Sequence, residues 1–204
     1  MLDMKRNKSG MAPGRPRAFD ADRALDDAMR VFWRKGYNGT ALSDLTQAMG
    51  INRPSLYAAF GNKEKLFLRA LDRYFNGPSA YAYEALKAPT AFKVVELLFN
   101  GNINLLTGPK SLGTCLWVHS AFSCGDGHLR KEFAAQRTAG HALLRKRFKR
   151  AIAEGDLPAD ADEATLALWA LTVNWGLTVQ ASTGATRSEL RRVAAAALKA
   201  WPNH

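Results

Sequence analysis

Two cysteines among 204 residues are too few to staple a small disulfide scaffold, so any fold must rest on a hydrophobic core. Long apolar runs are also missing. The densest, Leu166 to Val173, falls far short of the roughly 20 residues that cross a bilayer. The basic N-terminus is followed by no apolar stretch of the kind that marks a secretory leader, which predicts a cytoplasmic protein. No segment sustains the alternation of a half-buried strand. Gly-rich phosphate loops, a metalloprotease His pair and a Gly-flanked nucleophilic serine are all absent, so none of the usual catalytic signatures competes for the chain. Acidic side chains are scarce beside basic ones. Eighteen Asp plus Glu stand against 29 Lys plus Arg, a formal charge of +11, which points to a polyanionic partner.

What is present is the makings of a core: 47% hydrophobic residues, ten Phe and five Trp, in a length that suits one large domain or two smaller ones. The basic excess is densest in front. The first 73 residues hold 14 basic and 8 acidic side chains, whereas the remaining 131 hold 15 and 10. Residues 1–17, with Lys5, Arg6, Lys8, Arg15 and Arg17, form a Gly/Pro/basic arm too polar to fold by itself.

From Asp20 the pattern turns helical. Leu25, Ala28, Met29 and Phe32 recur at helical spacing up to Gly36. A second helix is expected over Leu42 to Met49, and a third after Asn52, an N-cap residue, up to Phe60. Asn62 caps a fourth, whose apolar face is Leu66, Phe67, Ala70, Leu71 and Tyr74, and Gly77-Pro78 interrupts it. Beyond lie helices near 79–87, 91–106, 113–123, 127–154, 162–182 and 187–200. The 162–182 segment is apolar nearly all round, as a helix buried on two sides would be. Thr186 and Glu189 form a capping box ahead of the last helix, whose apolar face is Leu190, Val193, Ala194, Ala197, Leu198 and Trp201. The organisation expected is all-α: an arm over 1–17, a helix-turn-helix head over 18–61, a connecting helix over 62–77 and a regulatory and dimerisation domain over 78–204.

Two short helices joined by Gly50-Ile51-Asn52, behind a packing helix, have the spacing of a helix-turn-helix. A helix entering the major groove end-on must read bases with its first turn and hold phosphates at its flanks. Arg53 stands in that first turn, with a fork that can take guanine O6 and N7, and Ser55 and Tyr57 bring hydroxyls beside it. Lys63, at the start of the next helix, is placed for a phosphate. Arg15 and Arg17 of the arm can either enter an A·T minor groove or add sequence-independent attraction.

The stretch Ala18 to Phe67 resembles the DNA-binding domain of the TetR (tetracycline-repressor) family. The likeness is carried by Phe32-Trp33-x-x-Gly36-Tyr37, Gly39-Thr40, Leu45, Met49-Gly50-Ile51, Ser55-Leu56-Tyr57-x-x-Phe60 and Asn62-Lys63-x-x-Leu66. It implies that Arg53, Pro54, Ser55, Tyr57, Ala58, Ala59 and Lys63 lie at DNA and that Thr40 touches a phosphate. Ala41 replaces the Ser or Thr that usually caps the second helix, and Ala58 and Ala59 replace larger groove-facing residues. The resemblance also implies a homodimer through the 162–182 and 187–200 helices that reads a palindromic operator on double-stranded DNA and answers to a small-molecule inducer, without a cofactor.

For the inducer site the candidates are the aromatics Phe99, Trp117, Phe122, Trp169 and Trp175 with Asn102 and Asn174 as polar anchors, against the alternative that these are ordinary core. The segment Gly113 to Cys124 is similar to a Gly-Cys-Leu segment in the TetR branch that includes N-ethylmaleimide-reductase repressors. Cys115 is then either a reactive thiol, activated by His119 and the nearby Arg130 and Lys131, or a buried inert one. Cys115-x3-His119 and Cys124-x3-His128 could chelate a metal only if the two pairs converged, and no metal site is expected. The run from Arg145 to Arg150 reads as a solvated helix face. A nonspecific architectural DNA binder and a Cys115/His119 enzyme are the rival functions.

Overall fold

The computed structural model describes residues 19–109, 111–123 and 127–202, with Phe122 and Ser123 described by their backbone. Among these residues the chain is helical and contains no strand. The order is α1 (Ala21–Lys35), α2 (Leu42–Met49), α3 (Arg53–Phe60), α4 (Lys63–Asn76), α5 (Tyr81–Ala85), α6 (Ala91–Thr107), α7 (Leu116–Ser123), α8 (Gly127–Ala153), α9 (Glu163–Ser182) and α10 (Arg187–Lys199).

Helices begin where a side chain can accept from the free N–H groups of the first turn. Asp20 accepts from Asp22 and Arg23 at 3.0 and 3.1 Å, Asn52 from Ser55 at 2.9 Å and Asn62 from Lys65 at 2.8 Å. Ala41 has no acceptor to offer α2. Asp44 compensates from inside the helix, accepting from the Ala41 N–H at 2.9 Å while pairing with Lys35 at 2.7 Å. The Lys35 hydrogen bond, helped by that N–H, holds the Asp44 carboxyl below its ordinary value. Gly50 turns the chain between α2 and α3 at φ 65°, ψ 28°, a left-handed conformation that a side chain would strain.

Two cores form. The first joins α1 to α4 through Phe32, Leu45, Leu56, Leu66 and Phe67, all essentially inaccessible, with Phe32 edge-on to Phe67 at 5.1 Å. It does not end at Gly77. Leu116 of α7 and Leu129 and Phe133 of α8 belong to it, and the Phe133 ring stands 6.2 Å from Phe67. The second core gathers α5, α6, α9, α10 and the C-terminal half of α8 around Val94, Phe99, Ile103, Phe148, Ala167 and Leu177. On α9, Leu168 and Val179 stay 49% and 41% exposed, and Val193 on α10 is 52% exposed. These are large apolar side chains left uncovered on the two helices expected to meet a second copy.

Three expectations are corrected. Helix α7 starts at Leu116 rather than 113, because Gly113 takes φ 73° and the Thr114 carbonyl turns away to accept from the Trp33 indole N–H at 2.6 Å. Helix α5 is shorter than the 79–87 span. The run from Arg145 to Arg150 is not wholly solvated: Phe148 is fully buried and Arg147 is 5% exposed, its Nη2 donating to the carbonyls of Ala88 and Pro89 at 2.9 Å each. Burial pulls the Arg147 pKa down from its ordinary value. Its neighbours behave as expected, Arg145 pairing with Glu163 and Arg150 with Glu154.

Candidate functional site

The sequence of α3 decides which way it faces. Leu56 and Phe60, one turn apart, enter the core, so Arg53, Pro54, Tyr57, Ala58 and Ala59 remain exposed and Ser55 is half-buried. Asn52 and Pro54 preset the first turn. At the far end Arg69 of α4 donates to the Ala59 carbonyl at 3.1 Å and lies 4.8 Å over the Phe60 ring, fastening α3 to α4. Nothing in the Arg69 sequence context had marked it for that role. Lys63 opens α4 with its ammonium 4.4 Å above the centre of the Tyr37 ring. The result is a short projecting helix with a guanidinium in its first turn and a cation beside it, a shape suited to the major groove.

Thr40 is elsewhere than expected. It is 2% exposed, and its hydroxyl donates to the Gly36 carbonyl at 2.6 Å, satisfying the end of α1 rather than facing outward. Arg15 and Arg17 lie outside the described residues.

In the body, α4, α5, α6, α8 and α9 with the start of α7 enclose a cavity of about 400 Å³. Of the residues named from the sequence, Asn102, Cys115, Trp117, Asn174 and Trp175 line it. Phe99 and Trp169 do not. Phe99 is fully buried and 6.1 Å from Trp169, which leans on Trp201 at 5.7 Å, so both are core. His119 lines a separate recess with Leu112, Val179 and Ser182, while the Phe122 side chain and Cys124 lie outside the described residues.

The polar wall of the cavity is a network. Asn102 Nδ2 donates to the Asn174 carbonyl at 2.7 Å and to Thr178 Oγ1 at 3.1 Å, and the Tyr81 hydroxyl donates to Asn102 Oδ1 at 3.3 Å. The Tyr81 ring lies so close to Gly101 that a Cβ there would meet it at 2.2 Å. Opposite, Trp117 stacks on Trp175 with centroids 5.1 Å apart and donates to Gln136 at 2.9 Å. Tyr81, Thr178 and Gln136 were not foreseen. The one sequence signal for Tyr81 was Gly101, a glycine inside a helix, which often marks a close approach.

Cys115 belongs to this wall. The Tyr74 hydroxyl donates to its sulfur at 3.2 Å. Burial pushes the Cys115 thiol above its ordinary value and outweighs that hydrogen bond, the reverse of what an activated thiol needs. Arg130 and Lys131 are exposed. Cys115, His119 and His128 occupy three different places, since His128 reaches Glu64 at 2.6 Å. Among the described residues no group of three or more His, Cys, Asp or Glu is placed to hold a metal ion.

Comparison with known proteins agrees with this architecture. The family profile of bacterial regulatory proteins of the tetR family matches residues 24–70. The transcriptional repressor ComR of Escherichia coli K12 is 32% identical over 194 residues, 93% of this chain and 92% of ComR. Among solved structures, a cysteine mutant of the TetR family transcriptional regulator CifR, complexed with 26-base-pair double-strand operator DNA, is 44% identical with a TM-score of 0.86. That match covers 93% of this chain and all of CifR. Reduced Escherichia coli NemR, 17% identical with a TM-score of 0.73 over 86% of this chain and 93% of NemR, shares the fold alone. The chain belongs to the TetR family of bacterial transcriptional regulators.

Proposed function

We propose that this chain is a cytoplasmic homodimeric repressor that reads a palindromic operator through Arg53, Ser55 and Tyr57, and that a small molecule in the 400 Å³ cavity releases it. The observation that carries the reading is the outward face of α3, exposed from Arg53 to Ala59 apart from the anchoring Leu56 and the half-buried Ser55. The relatedness to a regulator complexed with operator DNA supports it. Arg53 reads a base, Lys63 holds a phosphate, and Pro54, Ala58 and Ala59 let the helix sit close in the groove. Exposed Leu168, Val179 and Val193 bury themselves against the second copy, and a two-fold protein matches a two-fold site.

Release requires that the ligand prefer the conformation that does not fit the operator. A 100-fold loss of affinity needs about 2.8 kcal/mol of coupling, within reach of one buried apolar ligand. The cavity is connected to the head. Cys115 in its wall follows Thr114, whose carbonyl holds Trp33 of α1, and Phe75 in its wall lies on α4, the helix that starts with Lys63. Cys115 lines the cavity and His119 a separate recess, which favours the regulator over a Cys115/His119 enzyme.

Footprinting on the DNA upstream of its own gene tests the reading. A short palindromic footprint, lost in Arg53→Ala, is expected. Protection that spreads evenly with rising protein would favour the architectural alternative.

A further inference from the structure

We propose that Gly140 of α8 is the specificity-determining residue of the cavity: by presenting no side chain it keeps open the space for an uncharged, apolar ring compound and sets how large that compound can be. This rests on the reading of the cavity as the effector site.

Helix α8 serves both cores, Leu129 and Phe133 entering the first and Leu144, Phe148 and Ala151 the second. Between Phe133 and Leu144 it buries no residue. The cavity lies there, with Gln136, Arg137, Ala139, Gly140, Leu143 and Leu144 on its wall. At 3.6 residues per turn, Gln136 and Gly140 stand in the middle of that wall. Ala139 and Leu143 flank them on one side, Arg137 and Leu144 on the other. Gln136 is held to Trp117, whose indole N–H it accepts at 2.9 Å, and Gly140 has no side chain to bring in. The cavity thus occupies the place of a missing core residue.

A glycine inside a helix is less stable there than alanine, so its presence calls for a reason. Gly101 has one, since the Tyr81 ring takes the space of its Cβ. Gly140 has neither of the usual ones. Its φ lies outside the left-handed region, and a Cβ added to it would meet nothing within 4 Å beyond its own helix, so no ring or neighbouring helix comes close. What a side chain would enter is the cavity whose wall Gly140 forms.

The other walls give the chemistry of the ligand. The charged lining residues, Asp72 and Arg137, are exposed and stand at the rim. The buried lining, Val94, Leu98, Val118 and Leu144 among it, offers an ion no counter-charge. The stacked Trp117–Trp175 pair adds flat apolar surface suited to a ring. At about 400 Å³ the space is near the lower end of the roughly 300–1,000 Å³ typical of small-molecule sites. In a space of that size the volume of one aliphatic side chain decides between a single ring and several.

The test titrates the full chain and two variants with two uncharged probes: N-phenyl-1-naphthylamine, followed by its fluorescence, and toluene, followed by calorimetry. The wild type should bind both saturably. Gly140→Leu should weaken the naphthylamine by about tenfold or more and leave toluene within about threefold, because the isobutyl group takes the room of the larger probe alone. Gly140→Ala should raise the melting temperature by about 2–4 °C, since alanine is the better helix residue and its methyl group meets no obstacle. That melting measurement decides the matter even where the leucine variant is unstable. Three results would overturn the proposal: no saturable binding of the naphthylamine to the wild type, equal binding of it by wild type and Gly140→Leu, or a lower melting temperature in Gly140→Ala. Operator binding by the ligand-free protein is measured alongside, so that a failed role for Gly140 is distinguished from a failed regulator reading.

Discussion

The indole N–H of Trp33 donates to the Thr114 carbonyl at 2.6 Å, joining α1 of the DNA-reading head to the residue before Cys115, 81 positions away. Tyr74 closes the same junction from α4. Its ring stands edge-on to Trp33 at 4.9 Å and its hydroxyl reaches the Cys115 sulfur at 3.2 Å. A ligand that displaces the Cys115 wall must therefore carry Trp33 with it or break this bond, which gives the cavity a physical hold on the head.

Trp33→Phe tests that hold: it keeps an aromatic ring against Tyr74 but removes the donor and part of the buried indole. Stability should fall by at least about 0.5–1.5 kcal/mol, the net worth of one hydrogen bond, with the void adding to it, seen as a lower urea midpoint. Ligand-dependent release from the operator should weaken at the same time. An unchanged midpoint would mean that the bond contributes no free energy.

Arg53→Ala should cost about 1–3 kcal/mol on the operator, the worth of one bidentate base contact, and far less on random DNA. Fluorescence anisotropy on both sequences measures the difference. Equal losses would assign Arg53 to the phosphates instead.

Lys63→Gln and Thr40→Val separate a phosphate contact from an internal one. The first should reduce the slope of log affinity against log salt by about one per subunit and lower stability by no more than about 0.5–1 kcal/mol, the worth of the Lys63 contact with the Tyr37 ring. The second removes the bond to Gly36 and should lower stability by about 1–2 kcal/mol with the salt slope intact. A salt-slope change in Thr40→Val would restore Thr40 to the DNA surface.

The head is written in local rules. Asp20, Asn52 and Asn62 cap helices by accepting from residues two and three positions on, and Gly50 ends α2 by taking a backbone that other residues resist; each of these is written within a few positions of sequence. The cavity is a different matter. Phe99 and Trp169 look as suitable for a pocket as Trp117 and Trp175, because what separates them is the position of Trp201 and α8, far away in sequence. Tyr74 read correctly as an inward residue of α4, but its partner Cys115 is 41 positions on. The choice left open for Cys115, reactive or buried and inert, has the same origin: the sequence places His119, Arg130 and Lys131 nearby, and the packing shows the thiol buried beside Tyr74.

Burial raises the pKa of Cys115 from its ordinary 9.0 and that of Tyr74 well above its ordinary 10.0. In both cases the folded state favours the protonated form. That contribution to stability is complete below the unfolded values and is lost as pH climbs past them towards the folded ones. The melting temperature should hold steady at neutral pH and decline once pH passes 9.0 to 10.0. Iodoacetamide should modify Cys115 more slowly than a free thiol at neutral pH, and urea should abolish the difference. Modification of the folded protein as fast as of a free thiol would reinstate the reactive-cysteine reading.

The central claim is sequence-specific reading by the α3 face in a two-fold dimer, and selection of binding sites from a random double-stranded DNA pool tests it most directly. Enrichment of one palindrome, its half-sites related by the two-fold axis, with Arg53→Ala losing the enrichment at one base pair of each half-site, is the predicted result. A pool that stays random while the protein binds it would contradict the claim.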